Sequence, residues 1–237
     1  MKKVLKVIVF LLLGAISFAK GPLYVGTNAE FVPFEYMENG KIVGFDIELI
    51  NKVGEKIGRE IKIKNIAFDG LLPALQTNKI DMIIAGMTVT KEREKFVDFS
   101  KDYFVANQVI IVSENNNEVE NLNSLIDKKV GVILGYTGDL IVSKINGIEK
   151  VQYNSAPNAI MALSSGKIDA VILDSAPAQS YVSKNKGLKI VTMDVEDEKY
   201  AIAMKKGQKQ LVDEVNKALD EIKAEGTYDK LIQKYFN

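Results

Sequence analysis

The chain has 237 residues, with 31 lysines and arginines against 31 aspartates and glutamates, and it contains no cysteine, histidine or tryptophan. Balanced charge leaves no basic excess for nucleic acid or anionic lipid. Without cysteine or histidine there are no disulfides, no Ser-His or Cys-His nucleophile and no His-containing metal site.

The first 19 residues read as a secretory signal. Lys2, Lys3 and Lys6 precede the apolar stretch Val7 to Phe18, and Ser17-Phe18-Ala19 offers the small residues that cleavage needs. The stretch is too short and wrongly flanked for a membrane span. Removing it takes away three lysines and no acid, so the mature chain keeps 28 basic residues against 31 acidic ones. No lipobox cysteine follows. The mature protein is therefore expected to diffuse freely as a monomer in a Gram-negative periplasm, without a lipid anchor.

In the mature chain, Leu23 to Thr27 reads as a short strand, followed by a structured loop from Asn28 to Phe34. Asn39-Gly40 signals a hairpin turn. Asp46 reads as the N-cap of a helix with Ile47, Ile50, Val53 and Ile57 on one face, ending near Gly58. Ile61 to Ile66 is a strand, and Asp69 is expected to cap the next helix, with Pro73 in its opening turn. A strand from Asp81 to Ala85 leads into Gly86-Met87-Thr88-Val89-Thr90 and a charged helix start, Lys91 to Phe96.

Tyr103 to Val112 is a longer extended run than one sheet needs, so its middle is expected to cross between two lobes. After the polar loop Ser113 to Asn121, a strand from Lys129 to Leu134 enters the turn Gly135-Tyr136-Thr137-Gly138-Asp139. Ser155 and Pro157 open another helix, Gly166 stops it, and the strand that follows ends on Asp174. A return crossing is expected around Tyr200 to Ala203. Beyond it, Val212, Val215, Leu219 and Ile222 line one helix face, and a last helix runs from Tyr228 to Phe236. The crossings divide the chain into lobe 1 (20–107 plus 201–237) and lobe 2 (108–200).

The lobes share a repeat. Leu71 to Gly86 and Ala159 to Asp174 match without a gap at six of sixteen positions, among them Lys79/Lys167, Ile80/Ile168 and Asp81/Asp169. Each copy is a helix followed by a buried strand, half of a βαβ unit. The strands end in opposite chemistry, Gly86 to Arg93 in one copy and Asp174 in the other. A cation-bearing mouth facing an anion-bearing mouth suits a zwitterion.

Ligands of open α/β sheets bind beyond the carboxyl ends of strands. Gly86 allows close approach to the backbone, Thr88 offers a hydroxyl and an N–H, and Thr90 is placed to cap the helix that follows. Arg93, one turn in, carries a fork matched to a carboxylate, each charge-assisted bond contributing roughly 1.5–3 kcal/mol. A solvated arginine on a charged helix fits the spacing equally well. Asp174 suits a ligand ammonium, and it also suits a plain N-cap. Thr137 and its neighbouring N–H groups suit a carboxylate from the second lobe, though a plain tight turn accounts for the glycines better on its own. Phe31 and Phe68 offer walls for an aliphatic stem, with Asn28 near its far end, and core packing suits one of the two rings as well.

These stretches, NAEFVPFEY, KIVGFDIELI, FDGLLPALQTNKIDMIIAGMTVTKEREKFVDFS, LGYTGD and KIDAVILD, together resemble the periplasmic polar amino-acid-binding proteins of ABC importers, the family 3 solute-binding proteins. The resemblance covers essentially the whole mature chain. It implies an α/β fold of two lobes, a type II Venus flytrap with two hinge strands. It further implies a non-enzymatic role without a cofactor: binding an L-amino acid and delivering it to a permease in the inner membrane. By position, Arg93, Thr88 and Thr137 correspond to the clamp for the ligand α-carboxylate, Asp174 and Gly86 to the ammonium site, and Phe31 and Phe68 to the aromatic sandwich.

Asn28 departs from the acid that many relatives carry there. Glu30 and Glu35 are nearby acids, though a loop side chain two positions on is expected to turn to solvent. Ile133-Leu134 supplies no cation for a side-chain carboxylate, which disfavours glutamate and aspartate. Arginine or lysine is favoured, with glutamine next. A dehydratase-type enzyme on this fold and a ligand sensor are the alternatives.

Overall fold

The structure, a computed structural model, describes residues 21–236, so the signal expected at 1–19 lies outside the described residues. The chain opens with β1 (Leu23–Thr27) and a small antiparallel sheet of β2 (Glu30–Phe31), β3 (Glu35–Glu38) and β4 (Lys41–Val43). Then come α1 (Phe45–Ile57), β5 (Ile61–Asn65), α2 (Phe68–Gln76), β6 (Met82–Ile83) and the long β7 (Val97–Ala106). After Asn107 follow β8 (Gln108–Ser113), β9 (Lys129–Ile133), α3 (Thr137–Val142), β10 (Glu149–Tyr153), α4 (Ala156–Ser164), β11 (Ala170–Asp174), α5 (Ser175–Lys184) and β12 (Leu188–Thr192). β13 (Glu198–Lys205), α6 (Lys209–Ala224) and α7 (Thr227–Phe236) complete the described chain.

Two five-stranded sheets share one plan. Their orders are β5-β1-β6-β13-β7 and β10-β9-β11-β8-β12. In each, three parallel strands are followed by two antiparallel pairings, so only the fourth strand runs against the rest. In each, the fourth strand is the first strand after a crossing: β8 beyond Asn107, and β13 on the way back. The repeat units occupy equivalent places, α2–β6 in one sheet and α4–β11 in the other, which is the two-lobe α/β arrangement expected. The return crossing falls at 193–197, earlier than expected, because β13 already pairs with β7 from Glu198 onward.

Three expected helix starts differ. α1 begins at Phe45, not after Asp46. Gly44 holds φ 131°, where a Cβ would lie 2.1 Å from the Phe34 carbonyl oxygen, so only glycine makes this turn. The first N–H groups of α1 are taken by loop carbonyls, Phe45 to Pro33 at 3.0 Å and Asp46 to Phe34 at 2.9 Å, and no side-chain cap is needed. α2 likewise starts without a side-chain cap, Asp69 lies exposed in its first turn, and Pro73 sits inside the helix. The charged stretch after Thr90 makes only a single 3-10 turn, Arg93–Lys95. Thr90 does cap it, its hydroxyl accepting from the Arg93 N–H at 3.2 Å.

Aromatic packing ties the C-terminal helix to the first sheet. Phe34 is fully buried, with ring centroids of Phe104 at 4.9 Å, Phe236 at 5.1 Å, Tyr200 at 5.4 Å and Phe31 at 5.5 Å. One contiguous apolar cluster therefore runs from α7 through β13 to the mouth of the cleft. Phe34→Ala is expected to lower unfolding free energy by about 3–5 kcal/mol. Urea denaturation checks this, and a loss below about 1 kcal/mol would show that the cluster is not central to stability.

Candidate functional site

Gly86 lies three residues past the end of β6 with φ 51°, and a Cβ there would meet the Phe31 ring at 2.5 Å. Its N–H donates to Asp46 Oδ2 at 3.0 Å, and the Tyr103 hydroxyl donates to the same oxygen at 2.7 Å. Asp46 is thus a buried strut under the strand-end turn, not a cap. Burial pushes its carboxyl up to about 6, partly offset by these donors.

Arg93 is buried, with one terminal nitrogen donating to the Thr88 carbonyl at 2.7 Å and the other to the Gly135 carbonyl at 2.9 Å. It joins a loop of the first sheet to a loop of the second. Its guanidinium carbon is 5.3 Å from the Phe68 ring centroid, a cation–π distance. Burial draws its pKa down, and Glu198 and Asp174 pull it back up.

The threonines expected to clamp a carboxylate meet across the same gap. Thr137 Oγ1 donates to Thr88 Oγ1 at 3.1 Å, and Thr88 Oγ1 donates to Glu198 Oε2 at 2.6 Å. Asp139 secures the second loop by accepting the Gly135 N–H at 3.1 Å while Lys150 reaches its other oxygen at 2.6 Å. A groove of about 600 Å³ beside this network is lined by Thr88, Thr137 and Glu198 among others.

Asp174 stands at the N-cap position of α5 but makes no capping bond. Its carboxylate accepts the Tyr200 hydroxyl instead, and it is buried. Burial and the neighbouring Glu198 push its pKa up to about 7, with Tyr200 and the Gln108 amide opposing. Burial also raises Glu198, while the Thr88 and Thr137 hydroxyls, Gln108 and Arg93 draw it back. Gln108, directly across the sheet from Asp174, is buried with neither amide atom fully hydrogen-bonded.

Of the two nearby acids, Glu30 is half-buried and Glu35 points inward. It is fully buried, and neither of its oxygens has a hydrogen-bond partner. Burial, then Asp46 and Asp174, holds its carboxyl well above the ordinary range, favouring the protonated form. Of the four acids buried here, Glu198 and Asp174 act on the buried guanidinium of Arg93, while Glu35 lies beside Asp46 and Asp174.

The expected residues Asn28, Phe31, Phe68, Gly86, Thr88, Arg93, Thr137 and Asp174 all gather at this junction. The two rings do not face each other directly, because Tyr136 stands between them, 5.6 Å from Phe31 and 4.6 Å from Phe68 by centroids. Its hydroxyl donates to Asn28 Oδ1 at 3.0 Å. Sequence reasoning passed over Glu198, Tyr200, Gln108 and Tyr136. Tyr136 carries a signal, an aromatic inside a glycine turn. The others lie on strands, where nothing in the pattern separates them from core or surface residues.

Over residues 23–237 the chain matches the family described as bacterial extracellular solute-binding proteins, family 3. It is similar to a probable histidine-binding protein of Neisseria gonorrhoeae, 37% identical, covering 91% of this chain and 84% of that protein. Among solved structures it is similar to an ancestral arginine-binding protein bound to arginine, with TM-score 0.89, 45% identity and coverage of 92% and 100%. An ancestral arginine-binding protein bound to glutamine gives TM-score 0.88, 46% identity and coverage of 92% and 98%.

Asp174 makes a pH signature. Its pKa is 3.8 ordinarily and about 7 in the fold, so the native state holds a proton that the unfolded chain releases between those values. Stability from this group is present below pH 3.8 and lost as pH rises to about 7. Asp174→Asn removes that loss. Its stability relative to wild type is expected to rise between pH 4.5 and 7.5 in urea melts, whereas a constant or falling difference would contradict the assignment.

Proposed function

The chain belongs to the bacterial extracellular solute-binding proteins of family 3, and on that premise we propose that it captures a basic L-amino acid, arginine first, for an ABC importer. It binds an amino acid for transport and is not an enzyme. The observation that carries the basic preference is the acid lining of the junction, where Asp174 and Glu198 act on Arg93 and Glu35 acts on Tyr136 in the aromatic slot. A zwitterion with a cationic side chain brings the positive charge this surplus lacks.

In this reading the ligand α-carboxylate takes the Arg93 fork with Thr88 and Thr137, and the α-ammonium goes to Asp174 and the Gly86 carbonyl. The stem lies along Phe31 and Phe68, with its far end toward Asn28. The two lobes close about the two crossings, at Asn107 and at 193–197. Closure is favoured because only the closed form pairs both ligand charges away from water. The closed monomer then docks on the permease. The first 19 residues direct export and are cleaved, leaving a periplasmic protein without a lipid anchor.

The relatives named for histidine and arginine support a basic ligand. Glutamine is the second reading. It is favoured by the neutral Asn28 at the stem end and by the similar structure bound to glutamine.

Isothermal titration of refolded mature protein against the twenty L-amino acids tests the proposal. Arginine is expected to bind at micromolar affinity or tighter, and Arg93→Ala to weaken it by about a hundredfold or more, since about 3 kcal/mol or more of charge-assisted bonding is lost. Silence across the panel, or unchanged affinity in Arg93→Ala, would overturn the reading.

A further inference from the structure

The slot between Phe31 and Phe68 is filled by the chain itself. Tyr136 is 6% exposed, edge-on to Phe31 at 82° and to Phe68 at 61°. Its hydroxyl reaches Asn28 at 3.0 Å, across the gap between the two sheets. The residue before it is held at both ends, since the Gly135 carbonyl accepts from Arg93 and the Gly135 N–H donates to Asp139.

An alkyl stem or guanidinium lying between two rings needs van der Waals contact of about 3.5–4 Å on each side. It cannot share the slot with a tyrosine ring. Whatever leaves Asn28 Oδ1 without the Tyr136 hydroxyl must also give that buried acceptor another donor.

We propose that Tyr136 is a specificity-determining residue, a plug from the second lobe that competes with the ligand side chain for the aromatic slot. A long side chain ending in N–H donors displaces it best, because the stem replaces the ring against Phe31 and Phe68, and the donor replaces the hydroxyl on Asn28. A short side chain leaves the plug in place and gains nothing from the slot. This rests on the amino-acid-binding reading above and adds the basis of selection among amino acids.

The test compares wild type, Tyr136→Ser and Tyr136→Phe for binding of L-arginine and L-serine, by titration and by stopped-flow tyrosine fluorescence. Removing the plug frees the competent slot, so Tyr136→Ser should bind arginine about tenfold tighter or more, with the gain in the association rate. Tyr136→Phe keeps the ring but loses the Asn28 bond, so its gain should be smaller, about two- to tenfold. Serine affinity should stay within about twofold in both variants, as a ligand that never enters the slot requires.

Weaker arginine binding in Tyr136→Ser would make the ring a wall of the bound state and overturn the proposal. Equal changes for arginine and serine would also overturn it. If Tyr136→Ser does not fold, Tyr136→Phe decides on the same criteria. Wild type binding no amino acid would overturn the functional reading along with this one, whereas wild-type binding with either adverse variant result overturns this one alone.

Discussion

One guanidinium joins the two halves of this molecule. Arg93 donates to a carbonyl of its own loop and to the Gly135 carbonyl of the opposite loop, and it is buried in doing so. A buried arginine stays charged and must be answered by acceptors. The fold answers with more carboxyl groups than one cation requires. The surrounding architecture exists to hold that imbalance: Gly44 starts α1 early enough to bury Asp46, Asp46 braces Gly86, and Tyr200 and Gln108 contain Asp174.

The surplus of acid has a thermodynamic cost. Glu35, Asp46, Asp174 and Glu198 all have carboxyl pKa values raised chiefly by burial, so each destabilises the native state in its ionised form. Buried acids without full partners are kept where function uses them. The cationic ligand proposed above would relieve that cost by giving these carboxyls a partner in their ionised form. Binding affinity and the stability lost to the acids are then linked, which connects the pH behaviour of the free protein to the basic ligand proposed for it.

The fold was readable because it is written in periodicity. The repeat between Leu71–Gly86 and Ala159–Asp174 marks equivalent helix–strand units, and the long run through Gln108 marks the first crossing. Boundaries set by tertiary partners were less visible. Asp46 looks like a cap in sequence, but the Pro33 and Phe34 carbonyls already serve the helix start. Glu35 looks like a loop acid, yet β3 turns it inward beside Asp46. Glu198 and Tyr200 become site residues only because β13 returns between β6 and β7, a pairing that no local pattern announces. Tyr136 was visible as a residue of the glycine turn, but its place between two rings depends on how the lobes meet.

The most direct measurement is a crystal structure of the mature protein grown with L-arginine. The α-carboxylate is expected on Arg93, the α-ammonium on Asp174, and the side chain between Phe31 and Phe68 with the Tyr136 ring moved out. Arginine bound away from Arg93 and Asp174, or bound there with Tyr136 still between the two phenylalanines, would contradict that placement.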